Sequence, residues 1–131
     1  MAGEQPMILD TCALLWLVSG EKKITRATLR QITEAPALYL CAISGFEIGL
    51  KVARGKLELP FAPAVWLEKV IFQHGITVLP LDLSTCIRAA ELPPIHNDPC
   101  DRFIIAAAKI NDLPVITADE IFEKYGLSVL L

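Results

Sequence analysis

Short apolar runs that end at a carboxylate or hydroxyl, each followed by a helix-patterned stretch, constrain this chain more than any other feature. "MIL" stops at Asp10 and gives way to "CALLWLVSG" (residues 12–20), which has helical spacing and closes on glycine. After a helical stretch "TRATLRQITEA" (25–35), the run "ALYLCAI" (37–43) meets "SGFEIGLKVARG" (44–55). That stretch opens with Ser-x-x-Glu, the pattern of a capping box. "APAVWLEKVIFQHG" (62–75), "ITVLPL" (76–81) and "STCIRAAEL" (84–92) continue the alternation up to Pro93 and Pro94. "HNDPCDRFIIAAA" (96–108) opens a further helix, reaching Asn111, and "PVIT", "DEIFEKY" and "LSVLL" complete the chain. Continuously apolar strands alternating with helices predict an α/β fold whose parallel sheet is covered on both faces. In such sheets ligands bind beyond the carboxyl ends of the strands.

That rule directs attention to the acids at strand ends. Asp10 directly follows the first run, and Glu47 lies three residues past Ser44. Asp101 begins the helix before "PVIT", and Asp119 follows that run by two residues. Four carboxylates from four places can converge on one edge of the sheet. Left empty, such a cluster repels itself; a hard divalent cation with oxygen ligands, Mg²⁺ or Mn²⁺, relieves the repulsion. Each acid also has a local use. Asp10 and Asp119 can cap the helices that follow them. Glu47 can complete the Ser44 box or pair with Lys51. Asp98 before Pro99 reads as an N-cap ahead of a first-turn proline, or as a partner of Arg102. Asp101 suits the first turn of a helix through the dipole alone.

Composition narrows the function classes. A chain of 131 residues, 53% hydrophobic and 21% charged, fits one domain with a sizeable core. Residues 1–6 read as a polar, frayed leader and 7–131 as the domain. The net charge of −3 argues against binding nucleic acid through overall positive charge, but a metal-loaded acidic site reverses the local sign. The four cysteines form no C-x-x-C pair and fit buried thiols in a reducing cytoplasm. No apolar segment is long enough to span a bilayer.

Four stretches in order, "ILDTCALLWL", "SGFEIGLKVARGKLEL", "HNDPCDRFIIAAA" and "VITADEIFEKYG", resemble the PIN domain, and more narrowly the VapC-type ribonuclease toxins. The resemblance covers nearly the whole chain. It implies a three-layer fold with a parallel sheet of about five strands flanked by helices. It also implies that Asp10, Glu47, Asp101 and Asp119 bind metal, with Thr11, Ser44 and Thr117 as supporting hydroxyls. His96, Asp98 and Arg102 would stand behind the metal ligands or on the substrate side. Cys12 and Cys100 depart from the usual subgroup pattern of histidine and phenylalanine.

The activity implied is hydrolysis of an RNA phosphodiester with one or two Mg²⁺ or Mn²⁺ ions. Lys51, Arg54, Lys56 and Arg102 are candidate RNA-backbone contacts, their alternative being solvated helix faces. Expected partners are a small DNA-binding, VapB-like antitoxin and a second copy of the chain. Two other readings compete. A phosphoacceptor signalling domain would need a lysine near the acids on a late strand-end loop, and "PVITADEIF" has none there. A non-catalytic PIN-like binding module would have no need of four mutually repelling carboxylates.

Overall fold

The computed structural model describes residues 5–131. Most of the leader expected at residues 1–6 therefore lies outside the described residues; Gln5 and Pro6 are exposed. Strands β1 (Met7–Leu9), β2 (Leu38–Cys41), β3 (Ile76–Leu79), β4 (Val115–Ile116) and β5 (Val129–Leu130) form one sheet in the order β3-β2-β1-β4-β5. Every pairing is parallel; Ile8 stands opposite Tyr39 on one side and Val115 on the other. Winding proceeds outward from β1 through β2 to β3, then resumes on the far side of β1 with β4. The direction therefore reverses between β1 and β4, and this switch point opens a crevice at their carboxyl ends.

Strands β1 and β4 are fully buried and β2 nearly so, which explains their unbroken apolar character, whereas the edge strand β3 leaves Thr77 and Val78 exposed. Met7, Leu9, Leu38, Leu40, Ile76 and Ile116 point to one face. There they meet helices α1 (Thr11–Ser19), α2 (Arg26–Glu34), α3 (Ile43–Ala53) and α4 (Pro63–His74) through Leu14, Ile32, Ile48 and Trp66. Ile8, Cys41 and Val115 point to the other face, against α5 (Leu83–Glu91), α6 (Pro99–Ile110) and a 3₁₀ turn (Glu120–Tyr125). In α6, residues Ile104 to Ala108 are all buried, and the three alanines let its backbone lie close to the sheet. Gly75 ends α4 at φ 61°, a left-handed conformation that turns the chain at once into β3.

Three sequence expectations need correction. No capping box opens α3: the helix begins at Ile43, its N-cap is Ala42, and no side chain caps it. Ser44 instead lies buried inside the first turn and bonds to another element. "DEIFEKY" forms a 3₁₀ turn rather than an α-helix, with Asp119 as its cap. The third run is shorter than "ITVLPL", since pairing ends at Leu79.

Candidate metal centre at the switch point

The acids arrive at the crevice by ordinary local means. Asp10 continues β1 by one residue, its amide donating to the Ile116 carbonyl at 3.1 Å. Its Oδ1 accepts from the Ala13 amide at 2.7 Å, capping α1. Asp119 follows β4, caps the 3₁₀ turn by accepting from the Ile121 amide at 3.0 Å, and donates its own amide to Thr117 Oγ1. Asp98 caps α6 through the amides of Cys100 and Asp101, which places Asp101 in the first turn. Glu47 projects from α3 and accepts from Thr11 Oγ1 at 2.6 Å. With that proton committed to Glu47, the 2.8 Å contact between the Thr11 and Ser44 hydroxyls has Ser44 as donor. Ser44, Thr11 and Glu47 thus form a directed chain.

A cleft of about 420 Å³ is lined by Asp10, Glu47, Asp98, Asp101 and Asp119, with Thr11, Cys12, Trp16 and Lys51 completing its wall. The four acids named from the sequence therefore share one cavity. The same structure accounts for their capping: Asp10 and Asp119 each cap through Oδ1, and Asp119 turns Oδ2 toward His96. His96 stands beside them, its Nε2 2.7 Å from Asp101 Oδ2 and 3.8 Å from Asp119 Oδ2.

The electrostatics of this group are unfavourable without a counter-charge. Asp10, only 7% exposed, is pushed up to about 6, chiefly by burial. The Thr117 hydroxyl and Ala13 amide oppose that rise, and the charges of Asp101 and Asp119 add to it. Burial also raises Glu47 against the pull of Thr11, and raises Asp101 against the pull of His96. Hard oxygen donors, buried and reluctant to ionise together, fit a divalent cation, and among the described residues Asp101 and Asp119, with His96, bring their ligand atoms within 4.8 Å of one another. A thiol nucleophile fits poorly: burial and the neighbouring acids raise Cys12 above its ordinary 9.0, so it stays protonated at neutral pH.

Asp10 carries a stability consequence. Its carboxyl holds its proton up to about pH 6 in the native state but ionises near 3.8 when unfolded. The native state is therefore favoured fully below 3.8, and that contribution is lost as the pH rises through about 6. The gap corresponds to on the order of 3 kcal/mol. Asp10→Asn, which keeps a capping oxygen, should raise the stability of the metal-free chain at pH 7.5 and leave it unchanged near pH 3. Urea unfolding in chelator at both pH values checks this, and an Asn variant less stable than the parent at pH 7.5 would refute it.

A family model described as PIN domain matches residues 7–127. The chain belongs to the PIN domain family. Among curated relatives, Ribonuclease VapC22 of Mycobacterium tuberculosis is 27% identical over 114 residues, 86% of each chain. Among solved structures, FitAcB from Neisseria gonorrhoeae superposes with a TM-score of 0.66 at 22% identity, covering 95% of this chain and 96% of that one. VapBC2 from Rickettsia felis, bound to a DNA fragment from its promoter, gives 0.69 at 11% identity, covering 95% and 97%. Both share the fold. Family membership removes the phosphoacceptor domain as an alternative.

The basic residues of this PIN domain divide. Lys51 lines the cleft, and Arg54 and Lys56 lie exposed at the end of α3. Arg102 is different. Its guanidinium donates to the carbonyls of Pro93, His96, Ala89 and Leu92 at 2.8–3.1 Å, so these donors serve the fold. Sequence reading missed Tyr125, whose hydroxyl donates to the Pro93 carbonyl and accepts from the His96 amide. A lone tyrosine in "EKYG" carries no pattern that would announce a partner 29 residues away.

Asp98 and Asp101 separate experimentally. Asp98→Ala removes the α6 cap and should cost about 1 kcal/mol with little change in metal affinity. Asp101→Ala should weaken Mn²⁺ binding strongly and leave the melting temperature level or higher. Calorimetric titration beside a thermal melt distinguishes them; the reverse pattern would show that the two roles had been exchanged.

Proposed function

We propose that this chain is a metal-dependent endoribonuclease and the toxin of a toxin–antitoxin pair. The observation that carries the reading is the gathering of Asp10, Glu47, Asp101 and Asp119 in one cleft at the switch point, with Asp10 raised to about 6. The ribonuclease name of the Mycobacterium relative supports the activity, and the VapBC2 complex supports an antitoxin partner.

Those four carboxylates would hold the cation. Bound there, Mg²⁺ or Mn²⁺, as one or two ions, supplies the Lewis acidity that activates water and stabilises charge on the scissile phosphate. The chain's own groups prepare the site. Ser44 and Thr11 fix which oxygen of Glu47 faces the cleft, and Thr117 fixes the backbone that carries Asp119. Asp98 sets the N-terminal turn of α6, whose dipole favours the anion at Asp101. Lys51 at the cleft, with Arg54 and Lys56 beyond it, offers positive charge to an RNA backbone.

The chain acts in the cytoplasm as a homodimer, in this reading. Four unpaired thiols suit that compartment, and no helix among the described residues is long and apolar enough to cross a membrane. Phe72 is 87% exposed and Leu83 76%, large apolar surfaces suited to self-association or an antitoxin segment. A small VapB-like, DNA-binding antitoxin would silence the cleft by placing an arginine or lysine among the carboxylates. Inhibition should then weaken as Mg²⁺ rises and at high salt. Expression in a bacterial host tests the proposal. Growth arrest with RNA loss, relieved by Asp101→Asn and by the product of a neighbouring small gene that copurifies, is expected. Uninterrupted growth and a monomer that copurifies with no antitoxin would refute the toxin role.

A further inference from the structure

We propose that His96 is itself a ligand of the metal centre, supplying a nitrogen that makes the site favour Mn²⁺ over Mg²⁺. The inference rests on the metal-dependent reading above and adds a residue to it. Nε2 of His96, Oδ2 of Asp101 and a carboxylate oxygen of Asp119 all lie within 4.8 Å of one another. On one octahedral ion with bonds of about 2.1 Å, neighbouring ligand atoms stand about 3.0 Å apart and opposite ones about 4.2 Å. The observed separations of 2.7 and 3.8 Å need only tenths of an ångström of adjustment to reach such an arrangement.

A hydrogen bond that merely orients Asp101 accounts for half of this geometry. A single N–H serves one carboxylate, and Asp119 Oδ2 at 3.8 Å is beyond hydrogen-bond reach of the same nitrogen. Two carboxylate oxygens converging on one imidazole nitrogen are what an ion would gather. The placement of His96 is also built rather than incidental. Its amide donates to Tyr125 Oη at 2.8 Å, and its carbonyl accepts from Arg102 Nη1 at 3.0 Å. Arg102 directly follows Asp101 on α6. Tyr125 closes the 3₁₀ turn that Asp119 opens. The loop that carries His96 is thus tied on both sides to the two elements that carry its carboxylate neighbours. The tyrosine and arginine also share the Pro93 carbonyl, which holds the loop's other end. Such pre-organisation is what a ligand set requires.

Imidazole nitrogen suits first-row transition metals, whereas Mg²⁺ is bound through oxygen. A mixed N/O set should therefore bind Mn²⁺ more tightly than Mg²⁺, and the difference should depend on His96. The full chain loaded with Mn²⁺ should show imidazole ¹⁴N modulation in electron spin echo spectra, and His96→Gln should abolish it. Calorimetry should find Mn²⁺ affinity reduced on the order of tenfold in His96→Gln and Mg²⁺ affinity nearly unchanged. The spectrum of the unsubstituted protein decides the matter even if the variant folds poorly. Mn²⁺ bound without nitrogen modulation, or equal loss of both ions in the variant, would overturn the inference and leave His96 a positioning partner of Asp101. Failure of the parent protein to bind either ion would overturn the metal-dependent reading, and this inference with it.

Discussion

Asp10→Asn and Asp101→Asn should each lower RNA cleavage by on the order of a thousandfold, about 4 kcal/mol of transition-state stabilisation, without unfolding the protein. Both substitutions keep size and a hydrogen-bonding oxygen, so the amide side chain introduced by Asp10→Asn can still accept from the Ala13 amide and cap α1. What they remove is negative charge from a cleft where burial, with a smaller contribution from the neighbouring carboxylates, already holds ionisation back. The loss should therefore appear in cleavage and metal binding while melting in chelator is level or higher. Retention of more than a tenth of the activity by either variant would show that its carboxylate is not in the machinery.

Arg102→Ala should be the most destabilising single change in the loop region, costing on the order of 3 kcal/mol and lowering the melting temperature by roughly 10 °C. Helix α5 ends at Glu91, so its last carbonyls have no partner within the helix. Pro93 and Pro94 follow and bring no N–H to satisfy them. Arg102 supplies the missing donors, at 2.8 Å to both Ala89 and Leu92, from a partly buried position. Removing it strands several acceptors together. Arg102→Lys keeps the charge but not the planar fork and should restore little. That variant separates the structural role from phosphate binding, since a residue that merely contacted RNA would melt like the parent and be rescued in binding by lysine.

Much of this architecture is legible in the residues because local rules and tertiary needs agree. β1 is apolar throughout because both of its faces are buried, and it stops at Asp10, where the sheet's carboxyl edge opens on the cleft. Asp98 before Pro99 caps as its spacing suggests. For Asp10 and Asp119, capping and metal binding read as alternatives in the sequence; the structure shows each capping through Oδ1 while also lining the cleft. The failures share a cause. The Ser-x-x-Glu spacing looks local, yet Ser44 and Glu47 both answer to Thr11, more than thirty residues earlier. Arg102 binds main-chain carbonyls, which leave no mark in a side-chain pattern. The 3₁₀ turn follows from tertiary context: Phe122 and Tyr125 are buried against the sheet at i and i+3, a spacing the tighter helix also satisfies.

If the four carboxylates make this PIN domain a metal-dependent ribonuclease, the purified chain should cleave a single-stranded RNA only when Mg²⁺ or Mn²⁺ is present, which is tested first in excess chelator and then after either ion is restored. No cleavage in chelator, return of activity with either ion, and no return in Asp10→Asn or Asp101→Asn is the predicted result. Full activity in chelator, or restored activity in those variants equal to the parent's, would contradict it.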